Sequence, residues 1–266
     1  MTAGQRGGSM DGSFVEADGY KLFYVQAGSG PPILYVHGNT GSCRWFSKVM
    51  DLPGYRTLAL DMPNFGRSSP LEGEPDIDRY ADAVAGFMRA LRLERPILVG
   101  HSLGGAVSIS LAVRYPKLIR GLVLVDSAAP SGLVTPKEHY PVLEKMSADR
   151  ALLSRALRGV TPTLTDEAFF ESLVDDALLM AKPAWVGHPR ALEQFNYVGR
   201  CVAYDGPVLV LWGRRDAIVT EAMARETAKS FPHARFEAFD DVGHSVVAED
   251  PGRFARALLD FAAGAN

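Results

Sequence analysis

The chain has 266 residues, of which 47% are apolar and 22% charged, an ordinary globular composition that excludes disorder for most of its length. With 28 basic against 31 acidic residues the net charge is −3, so there is no basic excess to neutralise a nucleic-acid backbone, and nucleic acid is excluded as an expected partner. Two cysteines, Cys43 and Cys201, are too few for a disulfide framework or a metal knuckle, and apolar runs such as Val208–Trp212 fall well short of the roughly 18–20 residues that span a bilayer.

The first residues (MTAGQRGGSM) are rich in Gly and Ser and lack the apolar segment of a secretory signal, so residues 1–13 read as a flexible tail and the chain as cytoplasmic. Phe14–Ala17 and Lys21–Gln26 are extended runs joined by Asp18-Gly19, a hairpin signal. Ile33–Val36 and Arg56–Leu60 are short buried strands. Ile77–Leu93 carries Tyr80, Val84, Phe87, Met88 and Leu91 at helical spacing, and Pro96 stops it. Ile97–Val99 is a strand, Leu103–Tyr115 a buried helix and Leu122–Val125 a further strand. Strand signals then vanish from 128 to 204, where amphipathic stretches alternate with prolines. Thr165–Asp176 reads there as a solvated helix with Phe169, Leu173 and Val174 inward. Val208–Trp212, a helix over Glu221–Ser230, Arg235–Phe239 and a helix over Gly252–Ala262 restore the alternation.

Alternating strands and helices imply βαβ units on a mostly parallel sheet, with a core formed by 14–127 and 205–266. The helical block 128–204 is expected to be an insertion at the carboxyl ends of the strands. Ligands bind on that edge, so the block would cover a pocket as a lid.

Chemistry concentrates in Gly100-His101-Ser102-Leu103-Gly104, a G-x-S-x-G between a strand and a helix. So tight a turn needs glycine where neighbouring chain approaches, and it leaves Ser102 projecting at a helix amino terminus, where developing negative charge is favoured. A serine hydroxyl needs a base. Of the six histidines, His244 is the best placed, in a loop between the last strand and the last helix. His101 reads as packing and His37 as ordering its loop beside the pocket. His139, His188 and His233 read as structural. Asp216 follows the penultimate strand and would orient the base; Asp126, at the end of Leu122–Val125, is the competitor. The N–H groups of Leu103 and of Asn39, in His37-Gly38-Asn39, would hold an oxyanion.

With these residues placed, the chain resembles the α/β-hydrolase superfamily from about residue 14 to 262. Beyond the elbow, the resemblance rests on His37-Gly38-Asn39, on the loop Asp61–Ser68, and on Gly243-His244 followed by Glu249-Asp250-Pro251. The order Ser102, Asp216, His244 is the one that superfamily uses. Asn64 departs from it, standing where the pattern has glycine. The resemblance implies an eight-stranded, mostly parallel sheet with helices on both faces and an inserted helical lid. It also implies a Ser-Asp-His hydrolase of a small carboxylic ester, with no metal or organic cofactor. Ser102 in the nucleophile position excludes the aspartate-dependent branches. Esterases, lactonases and perhydrolases remain, and the alternative is a carbon–carbon bond hydrolase of a dioxo acid, with Arg44, Arg190 or Arg200 holding a carboxylate. That branch commonly has Trp directly after the histidine, where this chain has Ser245. A non-catalytic ligand receptor is a third reading. His37, Trp45, Phe65 and Trp185 are candidate pocket residues, with Phe46, Phe195 and Tyr197 as further aromatics.

Overall fold

A computed structural model describes residues 11–265; most of the expected tail lies outside them. Their strands form one eight-stranded sheet in the order β1-β2-β4-β3-β5-β6-β7-β8. β1 (Ser13–Ala17) and β2 (Tyr20–Gly28) are an antiparallel hairpin, β2 pairs antiparallel with β4 (Arg56–Leu60), and every other pairing is parallel. The hairpin turns on Asp18 and Gly19, both at positive φ (49° and 87°), as an Asp-Gly type I′ turn requires. β1 takes in Ser13, one residue earlier than the hydrophobic pattern shows, because an edge strand is held by its ladder rather than by burial.

The central strands β3 (Pro32–Val36), β5 (Ile97–His101), β6 (Gly121–Val125) and β7 (Val208–Gly213) are buried nearly throughout. Their uninterrupted apolar runs follow from helices covering both faces. β8 (Ala234–Phe239) closes the far edge. α1 (Ile77–Ala90) and α2 (Leu103–Arg114) pack against each other and lie between consecutive strands. Asp76 caps α1 by accepting from Arg79 N–H.

Residues 126–207 contribute no strand to the sheet. They carry α3 (Tyr140–Met146), α4 (Arg150–Val160), α5 (Glu167–Ala177) and α6 (Ala184–Gln194). In α5 the inward residues are Phe170, Leu173 and Val174, while Phe169 is half-buried, one position off the expected stripe. Nor is the helix solvated at Asp176. That carboxylate is buried, accepting from Ser42 Oγ (2.7 Å) and Arg44 Nε (2.8 Å), so α5 is tied to the short helical turn Cys43–Val49 after β3. α7 (Glu221–Ser230), α8 (Val246–Glu249) and α9 (Pro251–Gly264) complete the chain.

The parallel register sets the functional edge. Val36 pairs with Gly100, and His101 with Val125. The residues that follow these strands therefore emerge side by side.

Candidate active site

Ser102 sits between β5 and α2 at φ 54°, ψ −117°, a region an L-residue enters only under constraint. The constraint is visible around it. Ser102 N–H donates to Val125 O (3.0 Å), and Gly105 N–H donates to Ser102 O (2.9 Å). A Cβ on Gly100 would strike Gly104 O, one on Gly104 would strike the carbonyls of Val36 and His37, and one on Gly105 would strike Ser127. Only glycine lets the helix start this close to the sheet. Gly38 lies against Ser102 on the other side, where a Cβ would come within 2.8 Å of the serine Cβ.

His244 stands opposite. Its Nε2 is 2.8 Å from Ser102 Oγ and its Nδ1 is 2.8 Å from Asp216 Oδ2. Asp216 has a fully buried side chain whose other oxygen accepts from Ile218 N–H (2.7 Å) and Val219 N–H (2.9 Å). Nδ1–H therefore donates to the carboxylate, which leaves Nε2 as an acceptor for the serine O–H. Burial pushes the imidazole pKa down, but the Asp216 charge beside it outweighs this, and the net shift is upward.

Glu249 fixes the histidine loop. One oxygen accepts from Gly243 N–H (3.0 Å) and Ser245 N–H (3.1 Å), and the other from Thr163 N–H (2.9 Å) and Oγ1 (2.6 Å). The short Gly-His…Glu-x-Pro pattern thus places the His244 imidazole and fastens the insertion to its loop. Val160 at the end of α4 accepts from His244 N–H (2.9 Å).

Asp126 is also buried here, at φ 45°. It accepts from Gly213 N–H (2.8 Å) and Val246 N–H (3.1 Å), and the ring of His244 faces Asp216 instead. Burial, with Asp216 nearby, pushes its pKa up to about 7.

The N–H groups of Asn39 and Leu103 have no acceptor among the described hydrogen bonds. Leu103 follows Ser102 as the first residue of α2, and Asn39 follows Gly38, which lies against Ser102.

A cavity of about 160 Å³ opens above Ser102 and His244. Its floor is Asn39, Thr40, Trp45, His101 and Ser245; its apolar wall is Leu143, Met146, Leu153, Ala156, Leu157, Val160 and Ile218. Among these lining residues there is no Lys, Arg, Asp or Glu. Of the four expected pocket residues, only Trp45 lines it. His37 is wholly buried beneath, its Nδ1 donating to Gly38 O (2.8 Å) and its Nε2 accepting from Met62 N–H (3.1 Å). Phe65 is packed between His37 and His188, with ring centroids 4.6 and 4.7 Å away. Trp185 is buried in α6. Phe46 stacks on Tyr35 in the core, and Phe195 stacks on Tyr197 away from the cavity.

Several lining residues escape the motif reading. The stripe Leu153, Ala156, Leu157, Val160 has the i, i+3, i+4, i+7 spacing of a buried helix face, and that signal was available. His101 is more than packing. Its Nε2 donates to the backbone carbonyl of His244 (2.8 Å) while its ring stacks on Trp45, and burial pushes its pKa down to about 3.

The α/β-hydrolase fold model matches residues 31–251. This chain belongs to that family. Among curated relatives, the dihydrolipoyllysine-residue acetyltransferase component of the acetoin cleaving system of Cupriavidus necator is 32% identical over 97% of this chain and 70% of its own length. The 2-hydroxymuconate semialdehyde hydrolase of Pseudomonas sp. is 27% identical over 96% and 95%. Among solved structures, the enol-lactonase from Burkholderia xenovorans superposes with a TM-score of 0.85 at 21% identity, covering 94% of this chain and all of the other, a likeness of fold.

The family's Asp-x-x-Gly-x-Gly-x-Ser loop is a brace. Asp61 accepts from Cys43 N–H (2.7 Å) and Arg67 N–H (3.0 Å), and Ser68 Oγ accepts from Phe23 N–H (2.9 Å). Asn64, the departure from the glycine pattern, takes the positive φ (73°) that glycine would, as asparagine can. Its side chain also bonds to Leu71 and Tyr80.

No helix among the described residues is long and apolar enough to cross a membrane.

Proposed function

We propose that the protein is a serine hydrolase that cleaves a small, uncharged carboxylic ester through an acyl-enzyme. The observation that carries this reading is the imidazole of His244, 2.8 Å from Ser102 on one side and 2.8 Å from Asp216 on the other. As the substrate's carbonyl carbon is attacked by Ser102 Oγ, the serine proton passes to His244 Nε2. The charge that builds on the carbonyl oxygen is met by the N–H groups of Leu103 and Asn39. The C–O bond to the alcohol then breaks, and the alcohol leaves with the proton from His244. Water repeats the sequence and frees the acid.

The cavity supports the substrate class. It is small beside the roughly 300–1,000 Å³ of sites for drug-sized ligands, and apolar side chains form one wall. In this reading α3 and α4 act as the lid that shapes the acyl pocket. A lactone is the same bond closed into a ring and would use the same groups.

Carbon–carbon bond hydrolysis of a dioxo acid is a second reading, favoured by the semialdehyde hydrolase relative. It calls for a cation in the pocket, and the three candidates are engaged elsewhere. Arg44 pairs with Asp176, Arg190 lies 5.8 Å from the Tyr140 ring, and Arg200 lies over Tyr197.

A panel of aryl esters, lactones and dioxo acids decides between them. Short-chain neutral esters should turn over fastest, and Ser102→Ala should lower kcat by at least about a thousandfold. Dioxo acids preferred over every ester would give the assignment to the second reading.

A further inference from the structure

A chain of four buried or half-buried side chains runs from the core beneath the sheet edge to Asn39 at the cavity, and its direction can be read. Leu71 N–H can only donate, so the Asn64 atom 2.9 Å from it is the carboxamide oxygen. That puts the Asn64 NH2 group against Tyr80 OH at 2.7 Å, where the phenol must accept. The tyrosine proton then goes to His188 Nε2, also at 2.7 Å. His188 is wholly buried in α6 and stacked flat on Phe65, and burial pushes its pKa down to about 3, so the ring is neutral. With Nε2 accepting, its proton sits on Nδ1, which lies 2.8 Å from the Asn39 side-chain oxygen. Asn39 lines the cavity, and no described hydrogen bond takes its Nδ2.

We propose that His188 is a positioning residue for the acyl-transfer site. Through this one-way chain it turns the Asn39 carboxamide so that its NH2 group is offered to the oxygens of the substrate's ester as a donor beside the backbone N–H groups. The proposal rests on the ester-hydrolase reading. It gives the helical insertion a part in the chemistry that does not involve touching the substrate, because α6 must be seated for Asn39 to be oriented. It also explains Asn64, since glycine at that position could not start the chain.

Two measurements test it, one of them independent of turnover. In a long-range ¹H–¹⁵N spectrum of the wild-type protein, His188 should appear as the neutral ring protonated on Nδ1. A ring protonated on Nε2, or a charged ring at pH 7, would overturn the proposal. In ester kinetics, His188→Phe and the milder Tyr80→Phe should lower kcat roughly tenfold with KM little changed. His188→Asn, which can place an amide N–H where Nδ1–H was, should restore most of the rate. In an Asn39→Ala background, adding His188→Phe should cost almost nothing further. Losses that simply multiply would overturn the proposal, because His188 would then act by a route other than Asn39. If the wild-type protein hydrolyses no ester at all, the ester reading fails while the spectrum still decides the orientation of Asn39.

Discussion

At the scale of single residues, Asp216 and Asp126 divide two tasks that chain position alone left open. Both follow strands that end at the same edge. Asp216 is held by two N–H groups on one oxygen and gives the other to His244. Asp126 spends both oxygens on backbone donors of two loops. Asp216→Asn should therefore lower kcat by about 10³–10⁴-fold, since the imidazole loses the partner that fixes its tautomer. The pH dependence follows from the same contact. In the proposed mechanism neutral His244 is the base, so kcat/KM should rise with pH, through an ionisation above the ordinary imidazole value because the Asp216 charge outweighs burial. In Asp216→Asn that rise should move to lower pH. Rate–pH profiles of the wild type, Asp216→Asn and Asp126→Asn check this. An Asp126→Asn loss as deep as that of Asp216→Asn would reverse the assignment. Ser102 and His244 were legible as candidates because the elbow and the closing Gly-His loop are local patterns. For the carboxylate the sequence favours Asp216 and keeps Asp126 as a competitor, because the direction of a carboxylate is decided by loop N–H groups contributed from elsewhere in the chain.

At the scale of elements, the β5–α2 elbow is a tight joint, and its glycines are where it is most sensitive. A methyl at Gly104 meets two backbone carbonyls at the end of β3, which cannot move without opening the sheet. Gly104→Ala should cost about 3–5 kcal/mol and lower Tm by about 10 °C or more, or prevent folding outright. A thermal melt reads it, and a wild-type Tm with full activity would show that the elbow has room. Strands and long helices were legible because their periodicities are strong; Glu221–Ser230 coincides with α7. The pocket was less so. Phe65 and Trp185 are large aromatics near functional loops, and the sequence cannot tell an aromatic that faces a cavity from one that backs it. His188 shows the same limit from the other side. A lone histidine in a mostly buried helix carries no local sign that Tyr80, 108 positions away, donates a hydrogen bond to it.

At the scale of the whole molecule, buried titratable groups set the pH at which the fold is most stable. His101 and His188 have pKa values pushed down to about 3 by burial, and that of His37 is also lowered. All three are neutral in the fold and take a proton near 6.5 once unfolded. Their contribution is complete above about 6.5 and is lost as pH falls, for His101 and His188 toward about 3. Asp126 acts oppositely. Its raised pKa favours the fold below about 4, and that gain disappears as pH rises through about 7. The raised pKa of His244 likewise favours the fold at low pH, and that gain is lost as pH rises through it. Between pH 4 and 6, two protons taken up on unfolding by His101 and His188, with His37 acting in the same direction, stand against one released from Asp126. Tm should therefore climb over that range, level off near pH 6.5 to 7, and gain nothing beyond it. Melts across pH 4–8 check this, and a Tm falling steadily from pH 4 upward would contradict it.

The central claim is that one hydroxyl, Ser102 Oγ, is made nucleophilic by the imidazole 2.8 Å away. The most direct measurement is reaction of the folded protein with a fluorophosphonate, followed by intact mass and peptide mapping. One adduct per chain on Ser102, absent from Ser102→Ala and slowed in His244→Ala, is the predicted result. Folded wild-type protein that stays unlabelled, or carries the adduct on another residue, would contradict it.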